Sequence, residues 1–223
     1  MNENWPKAYK LGVQDFYGRD FLVTPDVLIP RPETEMMIDA VLNLVGRAYL
    51  PGMKPSEAVL PNNLKILDVG TGSGCIAVTL KLELPEADVS ACDISEKSLL
   101  IAKRNAERLD AKVKFSQSDL LEGISGVFDV IVANLPYVDK NWNWLDLEAL
   151  EAEPELALFA EDGGLKLIFE LIRQVVAGQR AKYLLLEADP CQHEEIKKYA
   201  LAQGLEHIET RGFCLTFRDK RQA

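Results

Sequence analysis

Four cysteines and two histidines in 223 residues leave little for a metal centre or a disulfide framework to use. Cys75, Cys92, Cys191 and Cys214 lie far apart and form no Cys-x-x-Cys pair, which argues against structural zinc and against a stapled secreted scaffold. All four read as small buried hydrophobes. His193 and His207 lack ligand-like spacing and read as surface or satisfied groups. No apolar run exceeds strand length, whereas a membrane helix needs about 20 consecutive apolar residues. Residues 1–10 are polar and contain no apolar targeting core, so a cytoplasmic location is expected. Positive charge is also scarce: 25 Lys and Arg face 35 Asp and Glu, a net charge of −10. Such a chain repels a phosphate backbone unless its basic residues cluster. The one basic cluster, 218–221, contains Asp219 and reads as a solvated end. Direct binding to nucleic acid or membrane is therefore not expected. Repeats and low-complexity tracts are missing too.

What is present is enough apolar material, 48% of residues, to fill the core of one large domain or two small ones. After residue 63, period and punctuation alternate between strand and helix. Strands are expected at 64–69, 88–93, 112–115, 128–133, 182–187, 205–210 and 213–217. Helices are expected at 74–83, 95–109, 163–177 and 191–203, with Ser95 capping the second and Gly163-Gly164 opening the third. The last two strands have no helix between them, and Arg211-Gly212 suits a hairpin turn. The fold class is thus α/β: an open, mostly parallel seven-stranded sheet with helices on both faces and its last strands antiparallel. Before residue 63, the segment 16–23 reads as two short strands around a glycine turn. Pro30, Arg31 and Pro32 delay any helix until Glu33, and 34–49 is amphipathic. Residues 51–63 form a polar connector with prolines. The expected division is an N-terminal extension, 1–63, packed on a main domain, 64–223.

Two motifs sit where buried strands should end. Gly70-Thr71-Gly72-Ser73-Gly74 follows the apolar run 64–69. Glycines there let backbone approach a ligand closely. A dinucleotide fingerprint requires a further, more widely spaced glycine, and Ile76 stands two positions after Gly74, so a nucleoside without phosphates is the better match. Asp93 ends the second strand, where a carboxylate can accept from both ribose hydroxyls. Asp119 ends the third and can meet an adenine amino group, with Leu120 packing on the ring. Each feature alone has an ordinary alternative: a strand-to-helix turn for the glycines, a helix-start acid for Asp93. Together at successive strand ends they mark the place where ligands gather in open α/β sheets.

The second motif is Asn134-Leu135-Pro136-Tyr137 after the run 128–133. An amide or aromatic amine is a poor nucleophile, and holding its nitrogen about 3 Å from an electrophilic methyl supplies much of the acceleration. As the bond forms, its hydrogens become acidic, so carbonyl acceptors aimed at them favour the transition state. Asn134 offers a side-chain carbonyl and Leu135 a backbone carbonyl, whose direction Pro136 restricts. Tyr137 can cover the flat acceptor group. Asn and Pro are also common turn residues, but the pair of motifs suits methyl transfer from S-adenosylmethionine to an amide or amine nitrogen.

The residues then resemble a known family. The segment 21–35, with Arg31-Pro32-Glu33-Thr34-Glu35, looks like the entry segment of release factor glutamine methyltransferases of the HemK/PrmC type. Residues 66–77 resemble their cofactor motif, and Asn134 to Val138 their Asn-Pro-Pro-Tyr loop. Glu153-Pro154, 157–159 and 162–165 resemble their Glu-Pro, Ala-Leu and Asp-Gly-Leu stretch. The resemblance implies a Rossmann-like, S-adenosylmethionine-dependent enzyme that methylates the glutamine amide (N5) in the Gly-Gly-Gln motif of peptide chain release factors. By position it implies cofactor contacts from Gly70, Thr71, Gly72, Ser73, Gly74, Asp93, Asp119, Leu120 and Asn134. It implies a substrate site of Asn134, Leu135, Pro136 and Tyr137 with Phe21, Arg31, Glu33 and Glu153 on the pocket wall. Two departures stand out. Leu135 replaces the family's proline, as in the similar loop of rRNA adenine dimethyltransferases. Only 15 residues precede Phe16, where the family usually carries a helical domain, so docking is expected to rest on the sheet domain. An adenine methyltransferase acting on nucleic acid, or a non-catalytic module that binds S-adenosylmethionine, are the alternative readings.

Overall fold

The structure is a computed structural model that describes residues 5–46, 64–145 and 150–222. A short helix, α1 (Lys7–Leu11), ends on Gly12 in the left-handed conformation and leads into β1 (Val13–Phe16) and β2 (Arg19–Leu22). The hairpin turn is two residues, Tyr17 and Gly18, with φ of 53° and 70°, which matches the twist of the flanking strands. Phe16 and Phe21 meet edge to face beneath it, centroids 5.9 Å apart. Pro32 to Thr34 make a 3-10 turn that runs into α2 (Glu35–Leu44). The far end of the expected helix over 34–49 and the connector 51–63 lie outside the described residues.

Seven strands follow: β3 (Lys65–Val69), β4 (Asp88–Asp93), β5 (Lys114–Gln117), β6 (Phe128–Ala133), β7 (Ala181–Glu187), β8 (Leu205–Arg211) and β9 (Cys214–Asp219). Their order is β5-β4-β3-β6-β7-β9-β8, with β9 antiparallel to both neighbours and the rest parallel. The helices are α3 (Cys75–Glu83), α4 (Glu96–Arg108), α5 (Glu155–Leu158), α6 (Lys166–Ala177) and α7 (His193–Ala202). Alternating side chains of the central strands feed two cores. Ile66, Val130, Val132 and Leu185 pack with α2 and α3 on one face. Leu67, Ile131, Leu184 and Leu186 pack with α6 and α7 on the other. This is the expected open sheet. Among the described residues no helix is long and apolar enough to cross a membrane.

Three expectations need correction. β5 begins at Lys114 rather than 112, because Ala111 N–H still bonds back to Ala106 and Asp110 takes a positive φ to close α4. α6 begins at Lys166 rather than 163: Gly163 and Gly164 have φ of 67° and 84° and form the turn before it. Cys191 is exposed, at the start of the chain's turn into α7, whereas the other three cysteines are buried. The helices α1 and α5 were not legible as such; each is a single turn, too short for a periodic pattern.

Asn105 of α4 is fully buried and joins the N-terminal segment to the sheet. Its Oδ1 accepts from Leu22 N–H at 2.7 Å, while its Nδ2 donates to the carbonyls of Leu22 at 3.0 Å and Ser73 at 2.8 Å. Removing such a group strands backbone partners, at about 1–3 kcal/mol each where burial is complete. Asn105→Ala is expected to lower the unfolding free energy by about 3 kcal/mol, read as a shifted urea midpoint with an unchanged m value.

Candidate functional site

The strand order changes direction between β3 and β6, and the loops after those strands are the two motifs. Register fixes their adjacency: Val69 pairs with Cys92 and with Ala133, and Ala133 pairs with Leu186. One residue further on, Asp93, Gly70, Asn134 and Glu187 therefore stand in a row at the carboxyl edge of the sheet. This is the crevice in which doubly wound sheets bind ligands.

The glycine loop is held from below and from the side. Asp68, fully buried in β3, accepts from the Thr71 hydroxyl at 2.6 Å and from Ala77 N–H at 3.2 Å. Asp93 accepts from Gly72 N–H at 2.9 Å through Oδ2 and from Ser95 N–H at 2.8 Å through Oδ1. Each oxygen keeps a further lone pair for a ligand hydroxyl. Burial raises the carboxyl's pKa, and the Ser95 and Gly72 amides oppose the shift. Gly72, at φ 56°, faces open space: a Cβ there would meet nothing within 4 Å. Gly74 plays a different part. Its added Cβ would lie 3.1 Å from Ala102, so it is the close approach of α3 and α4, and it is not on the cavity wall.

Over this loop lies a cavity of about 370 Å³, lined by Gly70 to Ser73, Asp93, Asp119, Leu120 and Asn134 to Pro136. Its roof is the segment around Pro25 to Leu28 with Arg31. The size suits a small ligand. Two cations touch it, and both are paired: Lys97 with Asp26 at 3.1 Å and Arg31 with Glu153. A phosphate would have to compete for both cations, whereas a nucleoside finds bare glycine backbone and the Asp93 carboxyl. The residues fit a phosphate-free nucleoside cofactor.

A second cavity of about 240 Å³ adjoins the first and shares Arg31, Asn134 and Leu135 with it. Tyr137, Trp142, Trp144 and Glu187 are also on its wall. The two tryptophans stack, centroids 5.2 Å apart at 21°. Asn134 donates through Nδ2 to the Thr34 hydroxyl at 3.1 Å, and this assignment leaves Oδ1 as the open acceptor. Among the described residues, no hydrogen bond is made to the Leu135 carbonyl. At the far end of the motif the Tyr137 hydroxyl donates to Glu187 Oε1 at 3.3 Å. Burial and Glu187 raise the phenol's pKa well above its usual range. Gln192 Nε2 donates to the Tyr137 carbonyl at 2.8 Å and to the Gly163 carbonyl at 2.7 Å. A Cβ on Gly164 would fall 1.9 Å from that Tyr137 oxygen, so only glycine fits.

The structure thus brings together at the cavities Gly70, Thr71, Gly72, Ser73, Asp93, Asp119, Leu120, Arg31 and the whole Asn134–Tyr137 loop. It places four other named residues elsewhere: Gly74, at the contact of α3 with α4, and Phe21, Glu33 and Glu153. Phe21 is fully buried in the core. Glu33 lines neither cavity. Glu153 is buried and acts as a latch, bonding Ile29 N–H at 3.1 Å and the Arg31 guanidinium. Thr34, Glu187, Gln192 and Asp68 were missed as site residues. Glu187 had a signal: a carboxylate closing the apolar run 184–186.

The family model described as "Methyltransferase small domain" matches residues 56–155. A release factor glutamine methyltransferase of Koribacter versatilis is 46% identical over 173 residues, 76% of this chain and 57% of that protein. One of Neisseria gonorrhoeae is 38% identical over 209 residues, 92% of this chain and 71% of that protein. The chain belongs to the release factor glutamine methyltransferase family. It spans little more than half the length of the first relatives it matches. The fold is also that of the T. thermophilus 16S rRNA N2 G1207 methyltransferase, solved with AdoMet and guanosine. That protein is 18% identical at a TM-score of 0.62, over 94% of this chain and 50% of that one.

In this family member the buried Asp68 under the glycine loop has a measurable consequence. Burial pushes its carboxyl from the ordinary 3.8 up to about 7, against the pull of the Thr71 and Ala77 bonds. A raised folded pKa means that the folded state binds the extra proton; the stability this gives is full below about pH 4 and is lost as pH rises through 7. Melting temperature is expected to fall across that window, and Asp68→Asn is expected to flatten the fall.

Proposed function

We propose that this chain transfers a methyl group from S-adenosylmethionine to the side-chain amide nitrogen (N5) of the glutamine in the Gly-Gly-Gln motif of peptide chain release factors. The observation that carries this reading is the division of space by Asn134 and Leu135, which wall a nucleoside-sized cavity on one side and a smaller one on the other. When bound, S-adenosylmethionine supplies an electrophilic methyl group on a sulfonium. Gly70 to Ser73 hold it by backbone, Asp93 accepts from its ribose hydroxyls, Asp119 meets the adenine amino group and Leu120 packs on the ring. Asn134 Oδ1 and the Leu135 carbonyl hold the two hydrogens of the acceptor amide. They bind it more strongly as those hydrogens become acidic. Tyr137 covers the flat face of the acceptor amide, and the released proton passes to solvent without a dedicated base.

In this reading residues 1–63 are an extension of a catalytic domain that spans 64–223, and the protein works in the cytoplasm. The polar ties through Asn105 and Thr34 support treating the two as one working unit. The net charge of −10 supports a protein partner over a nucleic acid.

The test is labelled methyl transfer to purified release factors, followed by mass spectrometry of the Gly-Gly-Gln peptide, with RNA and DNA as parallel acceptors. Label in that peptide is expected; label only in nucleic acid, or in nothing, overturns the reading. Asn134→Ala is expected to slow transfer by about a hundred- to a thousand-fold, the scale for one lost transition-state acceptor. Asp93→Ala is expected to weaken S-adenosylhomocysteine binding by about ten- to a hundred-fold in calorimetry, the scale of a charged hydrogen bond.

A further inference from the structure

Glu187 is the polar side chain at this edge of the sheet that the reaction scheme leaves unused. It is 1% exposed, yet it closes β7 directly beside Asn134 in the parallel register. Its Oε1 accepts from Tyr137, and its Oε2 is buried without a hydrogen-bond partner. An unpaired buried carboxyl oxygen is costly and calls for a reason. The reason lies in what surrounds it. Thr34 spends no hydroxyl on capping α2; it accepts from Asn134 Nδ2, and its own hydroxyl hydrogen faces the Glu187 carboxyl at longer range. One carboxyl therefore addresses both ends of the four-residue loop: Tyr137 directly, and Asn134 both by way of Thr34 and at longer range itself.

We propose that Glu187 is the positioning residue of the acceptor loop: it grips Tyr137 at one end and, through Thr34, keeps Asn134 Nδ2 turned inward so that Oδ1 faces the acceptor nitrogen. The inference rests on the proposed methyl transfer for its catalytic consequence, but the orientation of Asn134 is a property of the protein alone. An Asn amide has two faces of nearly equal shape, and only its bonding partners decide which points outward. A flipped Asn134 would present hydrogens to hydrogens and forfeit the transition-state contact.

The groups around Glu187 make its protonation the variable that matters. Burial pushes its carboxyl up to about 7, Glu33 from the 3-10 turn adds to the rise, and Thr34, Tyr137 and Asn134 oppose it. Cys75 of α3 and Cys214 of β9 also face it, and burial pushes both thiols up to about 12, so they stay neutral. Tyr137 stays neutral as well, Asp189 lies beyond it, and the nearby cation, Arg31, is engaged by Glu153. Ionised Glu187 is acceptor-only and draws the Thr34 hydrogen toward itself, which leaves the Thr34 oxygen to receive Asn134 Nδ2. Protonated Glu187 donates to the Thr34 oxygen and competes with Asn134 for it.

The experiment has two arms. In the first, the Asn134 side-chain amide signal of ¹⁵N-labelled protein, identified by its loss in Asn134→Ala, is followed from pH 5.5 to 8.5 without cofactor. It is expected to titrate with a midpoint near 7 in the wild type and to stop doing so in Glu187→Gln. An unchanged titration in Glu187→Gln, or none in the wild type, overturns the inference. In the second arm, Glu187→Gln and Glu187→Ala are compared for S-adenosylhomocysteine affinity and for transfer. Affinity is expected to stay within about threefold, as Glu187 lies off the nucleoside cavity, while kcat falls at least thirtyfold in Glu187→Ala with partial rescue in Glu187→Gln. Wild-type kcat in both variants overturns the inference while leaving the methyl-transfer reading intact. Absence of transfer by the wild type itself strikes that reading alone, and the amide signal then decides the inference. If Glu187→Ala does not fold, Glu187→Gln serves both arms.

Discussion

The parallel pairing of β3, β6 and β7 is the constraint from which the site follows. Val69, Ala133 and Leu186 are register partners across three adjacent strands, all nearly or wholly buried. Sliding any strand by one position would turn its core side chains to the opposite face of the sheet. The strands therefore cannot slip, and the residues just beyond their carboxyl ends inherit that precision. Gly70, Asn134 and Glu187 stand side by side because apolar side chains beneath them admit a single register.

Onto this edge the N-terminal segment is fastened by polar contacts. Asn105 joins β2 to the glycine loop, Glu153 latches the stretch from Ile29 to Arg31, and Thr34 meets Asn134. The roof of the larger cavity is therefore tied to the same strands that form its floor. Buried polar networks of this kind specify one arrangement, since each partner left unmatched carries a desolvation cost.

Much of this could be read in advance from the chain. Apolar runs ending in Gly70 to Gly74 and in Asn134 to Tyr137 made the strands, the mostly parallel sheet and the two motifs at their ends readable, because burial on both faces leaves a near-continuous apolar pattern. Contacts between distant segments were not readable. Nothing local distinguishes Thr34 as the partner of Asn134 across 100 residues, or Gln192 as the support of Tyr137. Gly74 and Gly164 looked like a ligand loop and a helix start, yet each is glycine for want of room, against Ala102 and against the Tyr137 carbonyl. Glu153 looked like pocket wall for the opposite reason: a carboxylate beside a motif suggests chemistry, and here its valences are taken up by Ile29 and Arg31.

Leu135 stands where the family's loop has a proline, and its side chain is buried against the first glycine of the other motif. A Cβ on Gly70 would come within 2.9 Å of Leu135 Cδ2. The two loops thus touch through a single methyl group and a single missing one. Gly70 is held to glycine twice over, by this contact and by its φ of 74°, and a slimmer residue at 135 would open a gap that the glycine turn alone does not fill.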